Sequence, residues 1–203
     1  ESRGLGDVYK RQEKIGVEES KVKMRAQQLY KGIYQKGITS FSDLTTVTFE
    51  LRKKLDNVLS LELPKILKKE VADDQTIKWL LELNDENKNL IEVVLIPSKS
   101  HNTICVSVQV GCAMSKNSAC IHCATGTQLL VKNLSASEIV MQMMIAKRYL
   151  NDFGDQRLLS RVVLMGSGEP LTNYKETKQF IKILMEPEGI HMGKKSITLS
   201  TNL

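Results

Sequence analysis

Cys112, Cys120 and Cys123 lie within a dozen positions, in the stretch GCAMSKNSACIHCATG at residues 111–126, in a chain with four cysteines in all. Thiolates are soft ligands for zinc and iron, and three held together leave one corner of a tetrahedral site unfilled. The spacing C-x7-C-x2-C admits two chemistries. A structural zinc would draw its fourth donor from His122 or Cys105. Alternatively, the three thiolates hold three irons of a four-iron, four-sulfur cluster and leave the fourth iron open. Open coordination is the mark of a catalytic metal site, closed coordination of a structural one.

A second loop, MGSGEP at residues 165–170, is rich in glycine and ends in a carboxylate. Gly166 and Gly168 let backbone approach a ligand closely, while carbonyls and Glu169 suit a cationic amine. Alone, such a loop is an ordinary strand-to-helix turn. Beside an open-iron cysteine loop it suggests S-adenosylmethionine (SAM), whose amino and carboxylate groups would chelate the free iron while Gly168 and Glu169 hold the amine.

The elements that must position these loops follow a strand, loop, helix rhythm. TICVSVQV (103–110) reads as one strand ending at Gly111, immediately before the cysteine loop. NLSASEIVMQMMIAKRYL then reads as a helix with a capping box of Ser135 and Glu138 and a buried face of Ile139, Met143, Ala146 and Leu150. RVVLMG is a second strand, YKETKQFIKILMEP a second helix and KSITLST a third strand. Repeated β–α units with apolar strands imply a parallel sheet with helices outside. Sites then collect beyond the C-terminal ends of the strands, where both loops fall.

Upstream, the pattern is helical from about Glu18 to Lys69, with Pro64 limiting a segment and Gly32 and Gly37 near helix ends. Met24, Leu29, Ile33 and Ile38, then Phe41, Leu44, Phe49, Leu51, Leu55 and Val58, supply its apolar positions. Lysines and arginines run throughout, which fits a basic binding face or a solvated one equally. TIKWLLEL and LIEVVLIP flank the polar turn NDENKN and predict a hairpin. Trp79 is expected in the core rather than as a stacking platform. By alternation alone, Glu92 faces water.

The chain has 203 residues, 41% hydrophobic and 26% charged, which is room for one sizeable core or a small domain beside part of a larger one. No apolar run approaches the ~20 residues of a membrane span, so a cytosolic protein with reduced thiols is expected. A net charge of +6 fits an acidic partner such as nucleic acid, or simply a basic surface. Residues 1–12, ESRGLGDVYKRQ, lack periodicity and are expected to be a non-native leader; the ending SITLSTNL suggests a chain cut within a domain.

From about Lys23 to Thr201 the chain resembles the RlmN/Cfr family of radical-SAM RNA methyltransferases, in particular those that methylate adenine C2 in 23S rRNA and tRNA. The resemblance rests on the order of RAQQLYKGIYQKGITSFSDLT, IKWLLEL, IEVVLIP, CVSVQVGC, CATGTQ, NLSASEIV, VVLMGSGEPLTN and ITLST. It implies an α/β fold: a small helical N-terminal domain for RNA binding (13–75), a β-hairpin connection (76–102), and the first half of a radical-SAM partial (β/α) barrel (103–203). It implies a 4Fe-4S cluster on Cys112, Cys120 and Cys123, with SAM bound by Gly168, Glu169 and Ser200. Glu92 becomes an active-site carboxylate, against the alternation, and Cys105 the cysteine that resolves a covalent protein–RNA intermediate through a transient disulfide. Partners would be 23S rRNA, tRNA and an electron-donor protein, acting on a monomer. In the family, one SAM methylates a downstream cysteine and a second yields the radical that activates that methyl for addition to the base.

The match has departures. The family separates its first two cluster cysteines by three residues, where this chain has seven; the longer loop costs little entropy but can misplace a ligand. His122 stands at a usually aromatic position, and STNL replaces a Ser-Gly ending. The methyl-carrying cysteine would lie beyond Leu203, so these 203 residues are expected not to complete methyl transfer alone. Two other readings stay open: methylation at adenine C8, as in Cfr, and a zinc-stabilised RNA-binding module without catalysis.

Overall fold

A computed structural model describes residues 19–116, 123–154 and 157–202. Six strands form one mixed sheet: β1 (Lys65–Val71), β2 (Ile77–Glu82), β3 (Leu90–Ile96), β4 (Asn102–Cys105), β7 (Leu159–Leu164) and β8 (Ile197–Leu199), side by side in that order. The first four run antiparallel to their neighbours, whereas β4, β7 and β8 are parallel. Parallel neighbours need long crossovers, supplied by helices α3 (Ala136–Leu150) and α4 (Tyr174–Met185). A small ladder of β5 (Gln109–Val110) with β6 (Lys132–Asn133) closes the base of the cysteine loop.

Alternation decides which sheet face is covered. Ile77, Trp79 and Leu81 of β2, Ile91, Val93 and Leu95 of β3, Ile104 of β4, and Val162 and Leu164 of β7 join one core with Ile139, Met143 and Ala146 of α3 and Phe180, Ile183 and Leu184 of α4. Trp79 is buried there and meets Tyr149 edge-on, ring centroids 5.5 Å apart. The two core methionines of α3, Met143 and Met144, fill space as expected of flexible thioethers. Helix α3 begins with the foreseen capping box: Ser135 Oγ accepts from Glu138 N, and the Glu138 carboxylate accepts from Ser135 N. Leu150, expected on its buried face, is only half-buried.

The N-terminal region has a separate small core of Leu29, Ile38, Phe41, Leu44, Val47 and Leu55. Helix α1 (Glu19–Tyr30) continues into a π turn at Lys31–Gln35, and α2 (Phe49–Val58) follows a short 3-10 turn at Phe41–Asp43. Gly37 ends the first helical run with φ +67°, and a Cβ there would stand 2.6 Å from the Phe153 ring. Gly32 lies inside the π turn, not at an end. Met24, Phe49 and Val58 are exposed; Lys53 lies over the Phe49 ring, 4.6 Å from its centroid.

Three expectations require correction. The helical reading to Lys69 fails, because β1 occupies Lys65–Val71 with every residue exposed. Its sequence KILKKEV lacks a buried face, so backbone pairing to β2 rather than side-chain burial decides its conformation. The hairpin of β2 and β3 is not a separate connection but two of the six strands of the main sheet, since β3 pairs with β4. TICVSVQV is not one strand: it pairs in the main sheet through Cys105, breaks at residues 106–108, and pairs again with β6. Among the described residues no helix is long and apolar enough to cross a membrane.

Candidate active site

Three backbone segments are sewn together at the C-terminal ends of the parallel strands. The glycine-rich loop after β7 lies on residues 106–109: Gly166 N donates to Val106 O (3.1 Å), Val108 N to Ser167 O (2.9 Å) and Ser167 N to Ser107 Oγ (3.1 Å). Gly166 and Gly168 are required by that contact. A Cβ at Gly166 would meet Val106 O at 2.6 Å, and one at Gly168 (φ +98°) would meet Gln109 Cβ at 2.5 Å. From sequence, these glycines are expected to let backbone approach a ligand; what they approach here is the chain's own residues 106–109.

The cysteine loop is pinned at both of its stems. Cys112 N donates to Gln128 O (3.2 Å) and Val131 N to Val110 O (2.9 Å), with Gly111 at φ +74° against Leu129. Cys123 precedes the 3-10 turn Ala124–Thr127. Cys112 and Cys123 both line an open cleft, together with Gly168, Glu169, Ser200 and Thr201. Cys112 is half-buried and Cys123 exposed, both as free thiols. Cys120 and His122 lie outside the described residues, as does the segment 1–12. Among the described residues no three His, Cys, Asp or Glu side chains converge as a metal site.

Glu169 is buried, yet its carboxylate is well partnered. Oε1 accepts from Thr201 Oγ1 (2.7 Å) and Leu171 N (3.1 Å), and Oε2 from Asn202 N (3.0 Å). A carboxylate offers about four lone-pair directions, so one direction is left on Oε2 for a cation. Glycine backbone, a buried carboxylate and thiols in one cleft fit both a cationic amino acid headgroup and an iron–sulfur cluster.

Glu92 and Cys105 do not join this cleft; they share the uncovered face of the sheet. Cys105 pairs directly with Val94, the next residue on the Glu92 face of β3. Alternation thus did put Glu92 in solvent, on the face that the helices leave open. Its carboxylate, 54% exposed, lies 3.3 Å from Lys78 Nζ, which in turn is 3.1 Å from Glu70 and is held protonated above its usual range by both. Burial pushes the Cys105 thiol up, against a weaker opposing hydrogen bond from the Met165 backbone.

Sequence reasoning passed over Gln109. It is fully buried, and its side chain touches both loops: Oε1 accepts from Ala113 N (3.2 Å) and Glu169 N (2.9 Å). The available signal was an amide between Val108 and Val110, two residues before Gly111. Thr201 and Asn202, which hold Glu169, carried no signal because their role depends on β8 lying beside β7.

Comparison with known proteins is consistent along almost the whole chain. A family model described as "Ribosomal RNA large subunit methyltransferase N-terminal domain" matches residues 16–61. The "Dual-specificity RNA methyltransferase RlmN" of Rhodopseudomonas palustris (strain BisB18) is 40% identical over 198 residues, covering 93% of this chain and 49% of that protein. The protein of the same name from Dinoroseobacter shibae is 40% identical over 195 residues, covering 92% and 48%. A solved radical SAM methyltransferase from Sphaerobacter thermophilus superposes with a TM-score of 0.83 at 34% identity, over 98% of this chain and 55% of that one. The chain spans about half the length of the curated relatives it matches.

Proposed function

We propose, for a chain related to the RlmN methyltransferases along the N-terminal half of their length, that it supplies the cluster- and SAM-binding half of an enzyme that methylates adenine C2 in 23S rRNA and tRNA. The observation that carries this reading is the single cleft that unites Cys112 and Cys123 with Gly168, Glu169 and Ser200. Cys112, Cys120 and Cys123 would hold three irons of a 4Fe-4S cluster, leaving the fourth for SAM. Cluster and SAM together supply a radical strong enough to activate a methyl group for addition to an aromatic carbon.

This chain's own residues do the positioning. Glu169 would take the cofactor's ammonium on its remaining lone pair, with Gly168 and Ser200 lining the same cleft. The uncovered sheet face, beyond that cleft, receives the base. Glu92 sits there as the carboxylate for proton transfer, and the half-buried Cys105 as the thiol that would attack the sulfur of the covalent adduct, the S–S bond forming as the S–C bond to the base's new carbon breaks and that carbon takes up the proton. In this reading the methyl-carrying cysteine would lie outside these 203 residues, which span about half the length of the relatives. The basic N-terminal region would hold structured RNA and an electron-donor protein would reduce the cluster; the same reading has the protein act as a monomer in the cytosol, where thiols stay reduced.

Anaerobic reconstitution with iron and sulfide tests the reading. The expected result is about four irons per chain and a broad brown absorption that changes on adding SAM. Stoichiometric zinc with no iron uptake would replace it with a structural metal module.

A further inference from the structure

Gln109 binds the two halves of the cleft to each other, and we infer that it is the positioning residue that fixes the cofactor-amine wall relative to the cysteine loop. Its Oε1 accepts from Ala113 N, one residue past Cys112, and from Glu169 N, the residue whose carboxylate faces the cleft. Its Nε2 donates to Asn133 Oδ1 (2.7 Å) and Thr172 Oγ1 (2.9 Å), which fixes the amide's orientation. Thr172 Oγ1 passes the connection on, donating to Glu169 O (2.8 Å). Gln109 itself is 0% exposed and Gly168 packs directly on its Cβ, while Asn133 and Thr172 reach its amide from the surface.

A group that only filled space would need no amide. Here one oxygen serves two loops that are 56 residues apart in sequence, counting Ala113 to Glu169. Buried backbone N–H groups that lose their acceptor must find another or move, and no other acceptor is bonded to Ala113 N or Glu169 N among the described residues. Removing the amide therefore lets the two walls shift independently. Two-point recognition of SAM, at the open iron and at Glu169, tolerates little such shift.

This inference rests on the cleft binding cluster and SAM, so the experiment reads those events separately from the wall geometry. The 203-residue chain and its variants are reconstituted anaerobically, iron per chain is counted, and SAM binding is measured by equilibrium dialysis. Amide hydrogen exchange at Ala113 and Glu169 is followed on the same proteins without cluster. Gln109→Met keeps an unbranched chain of similar size. It is expected to take up iron, bind SAM roughly tenfold more weakly or worse, and exchange faster at both amides. Gln109→Glu keeps an acceptor for both N–H groups but loses the two Nε2 donors, and is expected to exchange more slowly than Gln109→Met at both amides.

Wild-type affinity and unchanged exchange in Gln109→Met would overturn the inference, and so would equally fast amide exchange in Gln109→Met and Gln109→Glu. Absence of iron and SAM binding in the wild type would instead refute the reading of the cleft, and the inference with it. Should Gln109→Met not fold, Thr172→Val removes one anchor of the amide while keeping its volume. A smaller loss of SAM affinity is then expected, and an unchanged affinity overturns the inference.

Discussion

Gly168→Ala puts a number on how tightly the glycine-rich loop lies on its neighbour. Two costs combine. The residue sits at φ +98°, where an L side chain costs about 1–2 kcal/mol. The new Cβ would also stand 2.5 Å from Gln109 Cβ, 2.7 Å from its Cγ and 2.9 Å from its N, so buried Gln109 must move. Moving it weakens a set of four side-chain hydrogen bonds worth about 1 kcal/mol each, of which one or two are expected to be lost. The sum is about 2–4 kcal/mol. Gly154→Ala is the control, because Gly154 has φ +79° but nothing within 4 Å of its added Cβ. It should show the backbone cost alone, about 1–2 kcal/mol. In thermal denaturation followed by circular dichroism, a chain of this size loses ~2–4 °C per kcal/mol, giving a drop of roughly 4–16 °C for Gly168→Ala and roughly 2–8 °C for Gly154→Ala. Equal losses in the two variants would show that the loop does not rest on Gln109, and the described packing of the cleft wall would be wrong.

Other measurements reach different parts of the molecule. Gln142 of α3 is buried and brackets Ser107, accepting from its N–H and donating to its carbonyl at 2.8 Å each; Gln142→Leu orphans both groups and should cost about 2–4 kcal/mol in urea denaturation, where a loss below ~1 kcal/mol would contradict that geometry. Burial opposes ionisation of Asp85, but hydrogen bonds from Asn89 and the charge of Lys132 outweigh it and hold the carboxyl down from 3.8 to about 2. A lowered folded-state value stabilises the fold above the unfolded value and is lost as pH falls through the folded one. The stability difference between wild type and Asp85→Asn should therefore be constant above about pH 5 and shrink between about pH 4 and 2; a difference that grows on acidification would refute this sign. Thiol reactivity should rank by exposure and by the raised Cys105 value: in timed alkylation with peptide mapping, exposed Cys123 labels well before Cys105, and the reverse order would remove Cys105 from its half-buried place on the sheet.

Short-range signals were legible wherever local physics settles the outcome. The capping box at Ser135 and Glu138, the hairpin around NDENKN, the buried Trp79 and the two α/β crossovers all appear as read from the chain. Each depends on contacts a few residues apart or on a strong period of apolar side chains. KILKKEV misled because a strand exposed along its whole length has no burial period to read; it exists by pairing with β2. TICVSVQV misled in a different way, since an apolar run does not reveal where its partner strand changes.

The candidate site divides along the same line. Residue types and spacing singled out Cys112 and Cys123 as members of a thiolate cluster, and Gly168 and Glu169 only in its company, since a glycine-rich loop ending in a carboxylate is by itself an ordinary turn. That they share one cleft was decided by the parallel register of β4, β7 and β8, which brings residues 112, 168 and 200 to one end of the sheet. Glu92 shows the division most plainly: alternation placed it on one face of its strand, but only the helices packing on the opposite side make that face the uncovered one. Gln109 was invisible to pattern, since a polar residue joining two distant loops has no local period and acquires its four partners only when the chain is folded.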